Sequence, residues 1–514
     1  MIFKVKHIIF LIFTLLINLS SIAQIKIADL HYRNDTLAEV FHYSSKQKYN
    51  NFHSSVKPYV VSVNVADFQS KYSLNVNFKG NNIGEQHTMF KIYPLTNLSS
   101  GYDNINQFTY TAGLGLGVDF TTKNFYVTGK LLPFNVQSDY VTDSITSFSS
   151  VYPSASQELS KNNFLNSEFL MVYKTKKFFT FMGGYGKNFF GDGYRSLLLS
   201  DNSTSVPFFK IETSFAGIKY VNLYQVWRDI YEPLDQIKPA KLKYSATHYL
   251  SWNITKDFNL SIFETVVIGG KDTLSNRGFD LNYLNPVVFY RPVEYSIGSA
   301  DNVLMGLNLS YKPYSGGLIY YQLILDEFLL SELKARSRWW ANKYGMQVGF
   351  KAKDFILDNL YFQTEFNFVR PFTYSHKFSA QNYGQMNSPM AHPIGANFYE
   401  ALNVLSYRKG KHQITNKMVY SGYGIDTSVV NYGQNIFHSY ADRAGEYDHT
   451  IMQGLKTNVF NNQLIYEYTI APKINLYLIA QYNYRFEINP LGTKNNHYVM
   501  VGLKSRIWNQ YTDF

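Results

Sequence analysis

The sequence predicts an all-β transmembrane barrel of the outer-membrane type, with about 18 antiparallel strands. Three observations predict it. Apolar residues recur at every second position through many segments. Short polar turns alternate with long loops rich in aromatics, Gly, Asn and Ser. Beyond the N-terminal region, no run reaches the roughly 20 apolar residues that a spanning helix needs. In a bilayer every backbone N–H and C=O must be paired within the protein, so only helices and closed barrels can cross it. With helices excluded, the barrel remains.

The chain opens with the pattern of an export signal. Lys4 and Lys6 precede the apolar run 8–16, and Ser21, Ile22 and Ala23 form a small-residue cleavage site before Gln24. Residues 1–23 are therefore expected to be a cleaved signal peptide. Residues 24–65 are polar and mixed, and are expected to be a periplasmic segment or an ordered plug. The barrel is expected over 66–514, beginning with a strand near 72–78.

Within it, Val303, Met305, Leu307, Leu309 and Tyr311 share one face, opposite Asn308 and Ser310. Phe362, Thr364, Phe366 and Phe368 oppose Gln363, Glu365 and Asn367. Ile474, Leu476, Leu478, Ala480 and Tyr482 oppose Asn475, Gln481 and Asn483. A barrel strand turns apolar side chains to lipid and polar ones to the lumen, in segments of about 10 residues. Lys504, Arg506 and Arg485 fall on the polar side of their strands and are expected to line the lumen with Glu365 and Gln363.

Short turns are expected near 121–124, 174–177, 255–257, 313–316, 352–358, 408–411 and 471–473. Long connections occupy 132–162, 187–207, 269–302, 327–343, 370–397 and 421–449. Short turns on one rim and long loops on the other are the outer-membrane pattern, with the short ones toward the periplasm. An even count with both barrel ends in the periplasm requires 452–470 to be one long strand. The last strand, near 498–507, precedes a terminal aromatic, Phe514.

Composition narrows the function. The formal net charge is +11, of which Lys4 and Lys6 contribute two. The basic residues form no stripe and the chain is exported, so nucleic acid is not an expected partner. Basic character suits lipopolysaccharide phosphates or an acidic glycan; solvated lysines on turns explain it equally. The chain has no cysteine, and no Cys/His cluster points to a metal or cofactor. Ser388 and His392 are close in sequence, but no Gly-x-Ser-x-Gly elbow accompanies them, and no HExxH is present. No enzyme is expected.

The most distinctive loop is Gly186-Lys187-Asn188-Phe189-Phe190-Gly191-Asp192-Gly193-Tyr194-Arg195. Gly191 and Gly193 permit backbone angles closed to other residues, and so a tight fold around Asp192 with Arg195 in reach. Such a loop grips a sugar or phosphate, or else plugs the lumen through an Asp192–Arg195 pair. Asp280, Arg291, Glu294 and Asp301 share a later loop with several aromatics. They are candidates for sugar hydroxyls, or for a charge ladder that fills a pore. Trp339 and Trp340 are expected in an aromatic girdle at the membrane boundary, or as a stacking platform for sugar.

The segments 184–202, 278–311, 325–333, 339–351 and 388–400 together resemble the Bacteroidetes outer-membrane gliding-motility proteins of the RemB family, which are similar to the Wzi capsule-assembly barrels. The likeness to Wzi rests on architecture and on the Gly-Asp-Gly-Tyr loop. The resemblance implies an 18-stranded surface barrel that handles or anchors polysaccharide, or supports adhesion and gliding. It implies membrane lipids, lipopolysaccharide, surface polysaccharide and the outer-membrane assembly machinery as partners. It carries over no catalytic residue. One departure is plain: Wzi barrels have a periplasmic helical bundle, and this chain has no clear run for one. A passive channel is the alternative function, and an outer-membrane hydrolase the more remote one.

Overall fold

The computed structural model describes residues 25–26, 52–59, 61–62, 89–104, 107–122, 124–137, 157–160, 162–229, 241–270, 278–287, 301–427, 430–471, 474–505, 509, 511 and 513. The expected signal peptide and the expected strand near 72–78 lie outside them.

Eighteen long strands form one closed antiparallel sheet. They are β1 (Met89–Asp103), β2 (Gln107–Thr121), β3 (Phe125–Gln137), β4 (Asn163–Lys174), β5 (Phe179–Gly186), β6 (Val206–Phe215), β7 (Ile218–Arg228), β8 (Leu242–Asn253) and β9 (Phe258–Gly269). The second half comprises β10 (Asn302–Tyr311), β11 (Gly317–Leu325), β12 (Tyr344–Lys353), β13 (Leu360–Val369), β14 (Phe398–Lys409), β15 (His412–Ile425), β16 (Leu455–Ala471), β17 (Leu476–Asn489) and β18 (Gly492–Ser505). Each strand pairs with its sequence neighbour, and β18 pairs with β1, from Tyr498↔Asp103 to Lys504↔Asn97. That last pairing removes the sheet edges, which lipid could not hydrogen-bond. A short strand, Gln157–Ser160, adds a pairing to β4.

The strand that closes the barrel is Met89–Asp103, downstream of the expected starting point. The long strand demanded by parity is present: β16 runs unbroken for 17 residues, with an irregularity near Thr469. The connections after β2, β4, β6, β8, β10, β12, β14 and β16 are all short and lie on one rim. The opposite rim carries the long loops 138–162, 187–205, 229–241, 270–301, 326–343, 370–397 and 426–454, with short turns at 104–106 and 490–491.

The wall has the expected two faces. Val348, Phe366, Leu405, Met418, Val499 and Val501 are exposed on the outside. Twelve-residue strands such as β8 and β9, tilted by about 40°, span roughly 30 Å, the thickness of a hydrocarbon core. On the inner face Asn308, Gln322, Gln347, Gln363 and Asn367 are all 0% exposed. Side chains lining an open aqueous pore would keep contact with water, so this lumen is filled. No helix among the described residues is long and apolar enough to cross a membrane.

Val348 sits near the middle of β12 and faces lipid. Val348→Arg is expected to lower folding stability by about 2–4 kcal/mol, the midplane cost of a cation. Leu491→Arg, in the exposed turn before β18, should stay within about 0.5 kcal/mol. Urea-dependent folding into lipid vesicles measures both.

Candidate functional site

The filling is built around the inward loop 187–205 between β5 and β6. Gly191 has φ +138° and its position is so close to Gln322 that a Cβ would lie 2.1 Å from the amide nitrogen. At Gly193 a Cβ would lie 2.6 Å from both Gln347 Oε1 and Glu365 Oε2. The two glycines therefore let the backbone press against the inner wall, where the polar face of the strands supplies partners. Glu365 accepts from the backbone N–H of Tyr194 at 2.7 Å and of Arg195 at 3.2 Å, and from the Tyr320 hydroxyl at 2.8 Å. Gln322 Oε1 accepts from Leu197 N at 2.9 Å, and Lys351 Nζ donates to the Asp192 carbonyl at 2.7 Å. Leu197, Leu198 and Leu199 then enter an apolar cluster with Phe190, Val206, Phe208, Tyr249 and Phe263. Phe190 stacks on Tyr249 with ring centroids 4.5 Å apart.

Asp192 and Arg195 are both in the lumen, with different partners from the pair the spacing suggested. Asp192 accepts from Ser54 Oγ at 2.5 Å and Asn308 Nδ2 at 3.3 Å. Arg195 reaches Glu400 through Nε and Nη2 at 3.3 Å, and Asp513 through Nη2 at 2.9 Å. Asp192 and Arg195 are thus tied to the wall, to Ser54 and to Asp513 rather than to each other.

Residues 52–59 and the described residues after Ser505 complete the plug. Residues 52–59 cross the lumen, with Val56–Lys57 pairing antiparallel to Phe189–Phe190. His53 Nδ1 lies 2.8 Å from Ser251 Oγ. Burial, and next the charge of Lys219, lowers the His53 imidazole to about 3, so it stays neutral in the wall's polar row. Toward the C-terminus β18 ends at Ser505, and Asn509, Tyr511 and Asp513 are the described residues that follow it. Asp513 accepts from Tyr194 OH at 2.5 Å, Arg195 and Lys417 Nζ (3.5 Å), while Tyr511 OH donates to Asp201 at 2.8 Å. The closing strand expected near 498–507 is present as β18, Gly492–Ser505; Phe514 lies outside the described residues, and Tyr511 and Asp513 are buried inside the barrel. Their polar tips find partners there that lipid does not offer.

Above the plug, His392 Nε2 donates to Glu400 Oε1 at 2.9 Å, and its ring stacks on Phe398. Ser388 lies in a small hairpin opposite Gln385. The histidine is held by the Glu400–Arg195 pair. Burial pushes its imidazole below the ordinary value in spite of Glu400.

The other candidates do not gather at this point. Asp280 caps the short helix Leu281–Leu284, accepting from Asn282 N. Asp301 is buried and accepts from Tyr283 OH at 3.0 Å. Arg291 and Glu294 lie outside the described residues. The part of this loop around Tyr283 lies against the outer wall. Tyr283 packs on Ala246, Val266, Ile268 and Val303, which face away from the lumen. Tyr220 OH donates to Pro286 O, Tyr224 OH to Leu284 O, and His248 Nε2 to Asn285 O at 3.1 Å. Trp339 and Trp340 are not in a boundary girdle. They belong to the long-loop rim, where Trp340 Nε1 donates to Glu446 at 2.9 Å and its ring lies beneath Arg443 and beside Tyr440. Trp339 is half-buried beside it.

Sequence reasoning placed Glu365 and Gln363 on the lumen face and missed the roles of Tyr194, Glu400, Lys417 and Asp513. The alternation around Glu400 and Lys417 marks them as inward-facing. Nothing in the sequence says that a residue at position 513 will meet them.

An 18-stranded closed antiparallel barrel with short turns on one rim and long loops on the other is an outer-membrane β-barrel, here with an occluded lumen. Among solved structures the chain is similar to Wzi of Escherichia coli, described as an outer-membrane protein involved in group 1 capsule assembly and a carbohydrate-binding β-barrel. That likeness has a TM-score of 0.51 and 11% identity, covering 80% of this chain and 84% of Wzi. OprD of Pseudomonas aeruginosa aligns with a TM-score of 0.44 and 8% identity over 80% of this chain and 94% of its own. OpdK of the same organism, crystallised with vanillate, gives 0.44 and 8% over 81% and 98%. No family model and no curated protein sequence matches the chain. At these identities the likeness to Wzi is one of fold.

Gly193→Ala is expected to destabilise the barrel by about 1–3 kcal/mol, the usual cost of forcing atoms into a filled site. Gly445→Ala, where an added Cβ meets nothing within 4 Å, is the neutral control. Thermal unfolding in detergent, followed by the gel shift between folded and unfolded forms, reads the difference.

Proposed function

We propose that the chain is a non-enzymatic outer-membrane barrel that assembles or attaches surface polysaccharide, and through it supports adhesion and gliding. The observation that carries this reading is the filled lumen. Wall groups that could select a solute are bonded instead to the loop 187–205, to residues 52–59 and to the C-terminal tail. What remains for function is the long-loop rim, with Trp339, Arg338 and Arg443 beside the buried Trp340. Planar aromatic faces next to cations suit sugar rings and acidic glycan groups. The fold it shares with Wzi, which is described as carbohydrate-binding, supports the same reading, as does the resemblance of 184–202 and 278–311 to gliding-motility barrels. Asp280, Arg291 and Glu294 stay candidates for glycan contact on the neighbouring loop, whereas Asp301 is buried against Tyr283. Lipopolysaccharide around the rim and the outer-membrane assembly machinery are the accompanying partners.

The second reading is a passive channel, favoured by the closed cylinder and by charged inner-face residues such as Arg485 and Lys504. Purified protein in planar bilayers separates the two. The surface-polysaccharide reading expects no stable open channel from the intact chain. It also expects a deletion strain to shed surface polysaccharide and spread less, with recovery by the intact gene. Steady conductance, together with unchanged glycan retention in the deletion strain, would establish the channel instead. Trp339→Ala with Arg338→Ala should weaken retention of purified surface polysaccharide at least threefold while leaving thermal unfolding unchanged, because both side chains lie on the loop rim outside the plug.

A further inference from the structure

The short-turn ends of β14, β15 and β16 grade from apolar to cationic on their outer face. Alternation puts Leu405, Tyr407 and Lys409 on one side of β14, Ile414 and His412 on that side of β15, and Leu464, Tyr466 and Tyr468 on that side of β16. Leu405, Ile414 and Leu464 are exposed there. Tyr407, Ile414 and Tyr466 are opposite one another in one cross-strand row, and Lys409, His412 and Tyr468 form the next row toward the periplasm. Lys411 stands in the turn beyond, its Nζ 5.9 Å from the centre of the Tyr468 ring. We propose that this corner of the rim is a binding site for an anionic phospholipid of the inner leaflet, with Lys409 and Lys411 on its phosphate and the tyrosines beside its glycerol. The inference rests on the barrel's orientation in the membrane and is independent of the surface-polysaccharide reading.

Three features support it. The first is depth. Leu405 and Leu464 face hydrocarbon, the aromatic row lies two residues nearer the rim, and the cationic row two residues nearer again. Each step is about 6.6 Å along the strand, so the three rows cover the passage from acyl chain to headgroup. Tyrosine settles at that boundary, and a lysine just beyond it is drawn to anionic headgroups. The second is preorganisation. β14 and β15 are joined by the two-residue turn Gly410-Lys411, with Gly410 at φ +59° in the first position, where a tight hairpin requires glycine. The Lys411 carbonyl accepts from Thr469 N at 2.8 Å, which holds the turn against β16. His412 Nδ1 and Tyr466 OH are 2.8 Å apart, and the His412 and Tyr468 ring centroids 5.0 Å. The backbone of the site is therefore fixed while the side chains of Lys409 and Lys411 stay exposed. The third is the neighbouring turn before β13. Arg408 N donates to Asn359 O at 3.2 Å, which sets 354–359 beside the lysines. Phe355, Ile356 and Leu357 in that turn are all more than half exposed, Ile356 by 81%. The carboxylates there are Asp354 and Asp358, and Asp354 Oδ1 accepts from Asn359 N at 2.6 Å. Cations beside uncovered apolar side chains match a lipid, which offers a phosphate and acyl chains together. A wall polymer offers only the anion.

Lipid retention by the full-length barrel tests it. The protein in non-ionic detergent is mixed with equal amounts of phosphatidylglycerol and phosphatidylcholine of the same acyl chains, and native mass spectrometry counts the lipid that stays bound. The wild-type chain should favour phosphatidylglycerol by about fivefold or more, the effect of one well-placed lysine. Lys409→Gln with Lys411→Gln should bring the ratio close to one and leave the melting temperature in lipid-free detergent unchanged, because both side chains are exposed. Lys409→Arg with Lys411→Arg should keep the preference. Lys176→Gln with Lys177→Gln, which takes the same charge from another exposed turn of the same rim, should also keep it. Equal retention of the two lipids by the wild-type chain overturns the proposal. So does an equal loss in the Lys176/Lys177 variant, which would make the effect one of general rim charge. Displacement of phosphatidylglycerol by an equal concentration of glycerol phosphate would reduce the site to a free-phosphate site and overturn the lipid. Binding to isolated peptidoglycan that depends on Lys409 and Lys411, without a lipid preference, would assign the lysines to the wall polymer instead.

Discussion

Polar groups in this molecule have almost no water to turn to, either outside or inside. Outside, lipid cannot hydrogen-bond an exposed strand edge, so the sheet must close and β18 must meet β1. Inside, the lumen is packed, so each inward-facing Asn, Gln, Glu or Lys requires a protein partner. The first requirement yields a cylinder. The second draws in the loop 187–205, residues 52–59 and the C-terminal tail, because the wall alone presents more polar groups than it can pair with itself. Glu365 shows the dependence: it binds two backbone N–H groups of the loop, the hydroxyl of Tyr320 and the amide of Asn367. The plug and the wall are thus one hydrogen-bonded structure, and the lumen's closure follows from its polarity.

The same requirement accounts for what could be read in the sequence. The wall was legible because lipid outside and polar filling inside impose a period of two on every strand. Asn308 against Met305 and Leu307, or Glu365 against Phe366, reveals its side without any knowledge of neighbours. The long β16 was legible too, because parity leaves no other way to bring both barrel ends to one rim. The first strand was placed too early because residues 72–78 alternate as well as 89–103 do, and alternation carries no information about which segment pairs with β18. The places of Tyr511 and Asp513 are not legible for a related reason: their partners Tyr194, Arg195, Asp201 and Lys417 lie far away in the chain, and no local pattern points to them.

The loop between β9 and β10 marks a harder case. On β8 and β9 the outward positions include His248 and Glu264, whose side chains approach within 3.8 Å near the middle of the wall. An ionisable pair facing hydrocarbon breaks the pattern that identifies a barrel strand, and burying such groups without partners is costly. The conflict is resolved in three dimensions by Asn285, Leu284 and Pro286, whose carbonyls accept from His248, Tyr224 and Tyr220. Leu281, Leu284 and Val287 then face outward in place of the polar wall. Here the loop supplies the apolar exterior that the strands lack. A local departure from alternation was therefore the signal, and its meaning was unavailable until the covering segment was in view.

Glycine position shows how far local chemistry reaches in this fold. The Gly-Asp-Gly-Tyr segment was the most distinctive feature of the chain, and its glycines correctly marked a sharply folded loop. The partner assigned to Asp192 was its near neighbour Arg195, since a spacing of three residues brings two side chains within range in a tight turn. In a free loop that pair would form. In the filled lumen each charge has stronger competitors held in place by the wall: Ser54, Asn308 and the Lys351 contact to the adjoining carbonyl for Asp192, and Glu400 with Asp513 for Arg195. Burial alone would raise the Asp513 carboxyl, but Arg195 and Lys417 outweigh it and hold it below the usual carboxylate range. Long-range pairing wins because the loop's own geometry, set by Gly191 and Gly193, turns Asp192 toward Asn308 on β10 and Arg195 toward Glu400 on β14. The glycines that seemed to bring the two charges together are what allow them to be used separately.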